Sequence, residues 1–255
     1  MSHAALPGGV RGASDEDAGS SAGWNRFLTK RDLEHLAVWG KKQPDPLGQR
    51  PALLLIDVYY ASVGHEPKDL MESIKDWPMS CGREGWDAVG RIKLLLEAAR
   101  AAKIPVMHVK ALPGFPSDPS RVAERGQRGG NSVSGLPPHI RAMGGEIVAD
   151  VAPCTGELVL GKTGPSAFAG TPLLHFLQLQ CIDTLIVCGE STSGCVRATV
   201  VDAATNRLRV GVVGDCCYDR TEASHWMNLF DMHQKYGEVM DLPAANAYFG
   251  SLAKG

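Results

Sequence analysis

Pro51-Ala-Leu-Leu-Leu-Ile-Asp57 is an apolar run closed by a single carboxylate. Residues 52–58 show no alternation of polar and apolar positions, so a strand here is buried on both faces. Similar runs recur at residues 104–109, 157–161, 184–188 and 209–214, with a shorter one at 238–240. Between them lie helical patterns. Residues 86–102 put Val89, Ile92, Leu95, Leu96 and Ala99 on one face, and further helices are expected over 171–180, 196–206 and 221–236 and from Pro243. Doubly buried strands alternating with helices predict an α/β fold: a single domain of three layers, α/β/α, around a mainly parallel six-stranded Rossmann-like sheet.

The chain has 255 residues, 44% hydrophobic and 21% charged, which is ordinary globular composition. Its net charge of −2, without a dense Lys/Arg run, lacks the footprint of a nucleic-acid binder. No apolar stretch approaches the roughly 20 residues of a membrane span, and residues 1–22 have no apolar signal core. The seven cysteines are odd in number, contain no C-x-x-C and include the adjacent pair Cys216–Cys217. That is no disulfide framework, and a reducing, cytoplasmic setting is expected. Residues 1–22 read as a flexible tail. Residues 23–49 read as an N-terminal helix, with Phe27, Leu33, Leu36, Ala37 and Trp39 on its apolar face, and a Pro/Gly-rich linker. Residues 50–255 read as the folded domain. The Gly-, Pro- and Arg-rich segment 111–145 is too long for a simple connection and is expected to shape substrate choice.

In a parallel sheet the ligand lies beyond the carboxyl ends of the strands. The residues expected there are Asp57, His108 with Lys110, Lys162, Glu190 to Cys195, and Asp215 to Arg220. Gly156-Glu-Leu-Val-Leu-Gly-Lys-Thr163 matches the spacing of a phosphate loop, but its variable residues are strand material and the following Gly164-Pro165 opens no helix. No Gly-x-Gly-x-x-Gly follows a strand either, so nucleotide binding has no support. Cys195 stands apart from the other thiols. It follows Gly194 and opens a helix, where unpaired N–H groups and positive potential favour a thiolate. Taken alone, Asp57 also fits a turn carboxylate and Lys162 a lysine reaching out from the sheet end. Together they put a carboxylate, an ammonium and a thiol at three strand ends: a base, an ion to hold both anions, and a nucleophile.

These residues sit in stretches that resemble the isochorismatase-like cysteine hydrolases, nearest their N-carbamoylsarcosine amidase and maleamate amidase branch. The stretches are Pro51 to Asp57, Gly-Lys162-Thr-Gly-Pro-Ser-Ala-Phe-Ala-Gly-Thr171, Ile-Asp-Thr-Leu-Ile-Val-Cys-Gly189, Ser-Thr-Ser-Gly-Cys195-Val-Arg-Ala-Thr199, Gly-Asp-Cys-Cys-Tyr-Asp-Arg220, and Asn228-Leu-Phe-Asp with Lys235-Tyr-Gly-Glu238. The resemblance implies a catalytic triad of Asp57, Lys162 and Cys195. It implies a cis peptide between Glu190 and Ser191, with the N–H groups of Ser191 and Cys195 forming an oxyanion site. In most relatives the Glu190 position is small or apolar, so this chain departs from the pattern there. Arg220 is implied as the group that binds a substrate carboxylate; on local grounds it also fits an ion pair with Asp219 or Glu222. The nicotinamidase branch binds metal through an Asp-x-His pair that this chain lacks, and His139, His175, His225 and His233 are dispersed. No metal and no cofactor are therefore expected. The implied activity is hydrolysis of a C–N bond in a small amide or ureido acid through a thioester, by a homo-oligomer, dimer or tetramer, with no nucleic-acid or membrane partner. The alternatives are a hydrolase of neutral amides, nicotinamidase-like, and a binding protein that keeps the fold without turnover.

Overall fold

The first apolar run forms β1, Pro51–Ile56, and every one of its residues is buried. The strands that follow are β2 (Val106–Ala111), β3 (Leu158–Lys162), β4 (Thr184–Glu190), β5 (Arg209–Tyr218) and β6 (Glu238–Met240). The computed structural model describes residues 23–39, 45–112 and 136–253. The strands form one sheet in the order β3-β2-β1-β4-β5-β6, and all neighbouring pairs are parallel. This is the doubly wound order, with its reversal point between β1 and β4. The helices are α1 (Lys30–Trp39), α2 (Tyr60–Val63), α3 (Leu70–Asp76), α4 (Gly82–Ala101), α5 (Pro138–Ala142), α6 (Leu173–Leu179), α7 (Arg197–Thr205), α8 (Glu222–Lys235) and α9 (Leu242–Leu252).

β1 divides its side chains between two cores. Leu53 and Leu55 pack with Val89, Ile92, Leu95, Leu96 and Ala99 of α4 and with Phe249 of α9. Ala52, Leu54 and Ile56 pack with Leu173 and Leu177 of α6, Val200 and Ala203 of α7, and Leu229 and Met232 of α8. The sheet is therefore covered on both sides, as its continuous apolar strands require.

Three expectations need correction. β5 runs on to Tyr218 rather than ending at Gly214, so Asp215 to Tyr218 lie within the sheet and only Asp219 and Arg220 emerge from it. Tertiary pairing keeps the chain extended there: Cys217 and Tyr218 pair with Gly189 and Glu190 beyond a register shift in β4. Likewise His108 and Lys110 lie inside β2 rather than after it. Near the N-terminus, α1 buries none of its residues, and Leu33 and Trp39 of its expected apolar face are exposed. The anchor of that region is Trp24, buried edge-on against Phe230 and with its ring tilted against that of His233. The expected tail at 1–22 and residues 113–135 of the long segment lie outside the described residues.

Candidate active site

Asp57 leaves β1 at the reversal point of the sheet with φ 54°, a left-handed conformation that Asp tolerates better than most residues. Its carboxylate is 2% exposed. Next to it β4 ends in Gly189-Glu190, and Gly189 has a φ of 114°. A Cβ at Gly189 would stand 2.1 Å from the Ile56 carbonyl oxygen, so only glycine lets β4 deliver the following turn this close to Asp57. The Glu190–Ser191 peptide bond is cis, at the position the resemblance implied. After it, residues Thr192–Val196 form one wide turn closed by the Val196 N–H donating to the Ser191 carbonyl, five residues back. Such π turns recur at functional sites. Cys195 lies in this turn, half-buried, just before α7.

Lys162, the last residue of β3, joins the other two. Its ammonium lies 2.8 Å from Asp57 Oδ2 and donates to Cys195 Sγ at 3.2 Å and to the Gly164 carbonyl at 3.2 Å. It is only 6% exposed, so it points into the site and not out from the sheet edge. The residues around it also settle the phosphate-loop match, since Leu158, Val159 and Leu160 are strand and Lys162 faces Asp57. Asp57 Oδ1 is buried with no hydrogen-bond partner among the described residues. A buried orphan acceptor beside a thiol is a place for that thiol's proton to go.

The electrostatics correct one expectation. Burial, with the Asp57 charge adding to it, pushes the Cys195 thiol up to about 12, against the opposing pull of Lys162. The start of the helix thus does not yield a resting thiolate, because desolvation outweighs it. Burial also raises Asp57, opposed by Lys162. Burial alone would lower Lys162, but Asp57 and Cys195 hold it above its ordinary value. The ammonium is thus charged, and the thiol is protonated until something draws the proton away.

The turn is held from three sides. Asp219, just past β5, accepts from the Ser193 N–H at 2.8 Å and the Ser193 hydroxyl at 2.7 Å, and its other oxygen accepts from the Arg220 N–H at 2.8 Å. The Thr199 hydroxyl donates to the Cys195 carbonyl at 2.7 Å and accepts from the Ala167 N–H at 2.9 Å. Thr192 Oγ1 meets His225 Nδ1 at 2.8 Å, and burial lowers His225 to about 4, so this ring is neutral at pH 7. Sequence reasoning placed Asp219 among the strand-end residues without giving it this role, and gave Thr199 and His225 none. Asp219 and Thr199 do stand inside the motifs that carry the resemblance, which is the signal that marks them. For His225 no such signal exists.

Arg220 reaches the same site, and its partner is Glu190. Arg220 Nη1 donates to Glu190 Oε1 at 2.6 Å and to the Met79 carbonyl at 2.7 Å, with Cys81 Sγ at 3.8 Å. Of the two local partners considered, Asp219 takes only the Arg220 backbone N–H, and Glu222 pairs with Arg26. Tyr59, two residues after Asp57, completes the surroundings, its hydroxyl pushed up by burial and by the charges of Asp57, Glu190 and Cys195. His108 and Lys110 are not part of the group. His108 Nε2 meets Glu157 Oε2 at 3.2 Å, and Lys110 donates to the Gly145 carbonyl. Among the described residues no three His, Cys, Asp or Glu side chains gather as a metal-binding set. The seven cysteines are all free, and no described helix is long and apolar enough to cross a membrane.

Residues 51–244 match the isochorismatase domain family. Maleamate amidohydrolase of Pseudomonas putida is 48% identical over 90 residues, which are 35% of this chain and 42% of that protein. N-carbamoylsarcosine amidase of an Arthrobacter species is 32% identical over 220 residues, covering 84% of this chain and 76% of that one. Among solved structures, N-carbamoylsarcosine amidase from Thermoplasma acidophilum superposes with a TM-score of 0.57 at 25% identity, over 76% of this chain and 96% of its own. With this match spanning the whole sheet, and with Asp57, Lys162 and Cys195 converging at its reversal point, the chain belongs to the isochorismatase family, alongside relatives named as amidases and amidohydrolases.

Proposed function

We propose that this chain hydrolyses the C–N bond of a small amide or ureido acid by cysteine chemistry, without a metal. The observation that carries the reading is the Lys162 ammonium placed between the Asp57 carboxylate and the Cys195 sulfur. Asp57 takes the Cys195 proton. The thiolate attacks the amide carbon, and the N–H groups of Ser191 and Cys195 receive the oxyanion. Asp57 returns the proton to the departing nitrogen, and ammonia leaves behind a Cys195 thioester. Water, losing its proton to Asp57, then cleaves the thioester to release the acid and restore the thiol. Lys162 stays charged throughout and offsets whichever neighbour is anionic.

Arg220 supports a carboxylate on the substrate. Among the described residues its side-chain hydrogen bonds leave from Nη1 alone, so the rest of the planar fork is left for a second carboxylate. A second reading, hydrolysis of neutral amides, is favoured by the same pair, since Glu190 already balances the guanidinium. The exposed Val38 and Trp39 of α1 support assembly into a homo-oligomer.

The test is ammonia release from maleamate, N-carbamoylsarcosine and nicotinamide, with the methyl ester of whichever acid amide is used best. The acid amide is expected to be the better substrate. Arg220→Ala is expected to raise its KM about tenfold to a hundredfold, since a hydrogen bond to a charged group contributes roughly 1.5–3 kcal/mol. If at pH 6.5 the wild-type protein hydrolyses nicotinamide or the ester as well as the acid, the carboxylate reading fails.

A further inference from the structure

Glu190 has no part in the triad, yet it is 6% exposed and stands at the end of β4, next to the turn that holds Cys195. Buried carboxylates are uncommon unless paired, and this one spends itself on the residue expected to receive the substrate. Its surroundings are crowded with charge. From the end of β1 come Asp57 and Tyr59, from the end of β5 Tyr218, Asp219 and Arg220, and from the start of α4 the Cys81 thiol. Asp57 is matched by Lys162, and Asp219 is engaged by two backbone N–H groups and a hydroxyl. Arg220 is the cation left to Glu190. A substrate carboxylate arriving at Arg220 would put a second anion on one guanidinium, beside the buried Glu190 carboxylate. Like charges that share one cation resist joint ionisation, and one of them takes up a proton.

We infer that Glu190 determines the substrate specificity of this site: it holds Arg220 while the site is empty, and a substrate carboxylate binds there only as Glu190 is displaced and takes one proton from solvent. This inference rests on the carboxylate reading above. The balance is one proton gained by Glu190, one ion pair broken and one formed. Burial first, together with the nearby Asp57 and Asp219 charges and against the pull of Arg220, pushes Glu190 up to about 7. The exchange therefore falls within the working pH range. Below that value Arg220 is open to an acid. Above it Glu190 competes, and an amide without a carboxylate is not disfavoured.

The experiment measures kcat/KM from pH 6 to 9 for maleamate and for its methyl ester, on the wild-type protein and on Glu190→Gln. The acid-to-ester ratio cancels the titration of Asp57, Cys195 and Lys162, which act on both substrates alike. In the wild-type protein the ratio is expected to fall at least tenfold between pH 6.5 and 8.5. In Glu190→Gln it is expected to stay level, with the acid amide turned over at least fivefold faster than by wild type at pH 8.5. A second measurement does not depend on how that variant folds. Calorimetry of maleamate binding to Cys195→Ala at pH 8, in two buffers of different ionisation enthalpy, is expected to show uptake of close to one proton, and the ester none. A constant acid-to-ester ratio in the wild-type protein, or acid binding without proton uptake, overturns the role of Glu190 while leaving the carboxylate reading intact. Preference for the ester at every pH removes the carboxylate reading, and this inference with it.

Discussion

Asp219→Asn tests how far the nucleophile depends on its support. The change keeps the shape of the side chain and alters only its charge and donor pattern. Asp219 accepts three hydrogen bonds, two at one oxygen from Ser193 and one at the other from the Arg220 N–H. An asparagine can keep the Ser193 pair on its carbonyl oxygen, but then its NH2 faces the Arg220 N–H, donor against donor. One charge-assisted bond is lost outright, and the other two become neutral. Hydrogen bonds to charged groups contribute about 1.5–3 kcal/mol and neutral ones about 0.5–1.5. Because two of the three share one acceptor atom, the losses do not simply add, and a net destabilisation of about 2–4 kcal/mol is expected. The effect on catalysis works through geometry. Ser193 lies two residues before Cys195 in the same turn, and a displacement of about 1 Å at a reacting atom can cost roughly a hundredfold in rate. The expected pattern is therefore a kcat lower by about two orders of magnitude, with KM changed much less. Urea unfolding gives the first quantity, and initial rates of ammonia release give the second. A variant with unchanged kcat, whatever its stability, would refute the positioning role of Asp219.

Lys162→Met removes the ammonium that Asp57 and Cys195 share. Breaking a buried pair costs about 3–5 kcal/mol if the remaining charge persists; Asp57 is expected to hold a proton instead, which spares the fold but removes the base. The kcat should fall at least about a hundredfold, comparable with loss of an oxyanion donor, while unfolding by urea shifts modestly; activity within tenfold of wild type would contradict the bridging role. Glu157→Gln concerns stability alone. Burial would raise Glu157, but hydrogen bonds from Arg100, from the Cys154 N–H and from His108 hold it at about 2. A depressed folded-state value means that the stabilisation is present above the ordinary carboxylate range and fades as pH falls toward 2. The variant should lose about 1–3 kcal/mol at pH 7 and visibly less at pH 3, and a gap that stays constant between the two would count against the ion pair.

The sheet was legible because its signal is long and redundant. Six short runs, of which β1 and β4 are buried along their whole length, leave few alternatives to a covered parallel sheet, and the α4 face read from residues 89–99 is buried as expected. The short helices α2, α3 and α5 went unread because four to seven residues complete too few turns to show a period. β5 read short because Gly214 and Asp215 are poor strand residues by composition; pairing with β4 beyond them overrides this. In the site, the residue types and their places after strands marked Asp57, Lys162 and Cys195. The Glu190–Arg220 pair was not legible, since the local partners of Arg220 are Asp219 and Glu222 and its true partner lies thirty residues earlier. The adjacency of β4 and β5 brings the two together. The thiol's state was missed for a related reason: position in the chain points to a helix start, while the depth of burial that outweighs it exists only in the folded molecule.

The central claim is that Cys195 carries the acyl group of the substrate through the reaction. The direct measurement is rapid acid quench of the protein during turnover of its best amide, followed by mass spectrometry of the intact chain and of the peptide that contains Cys195. Expected is a mass gain equal to the acyl portion of the substrate, without its ammonia, located on Cys195 by fragmentation and absent from Cys195→Ala. An active protein that never gains this mass, or that carries it on Cys81 or another residue, contradicts Cys195 as the nucleophile.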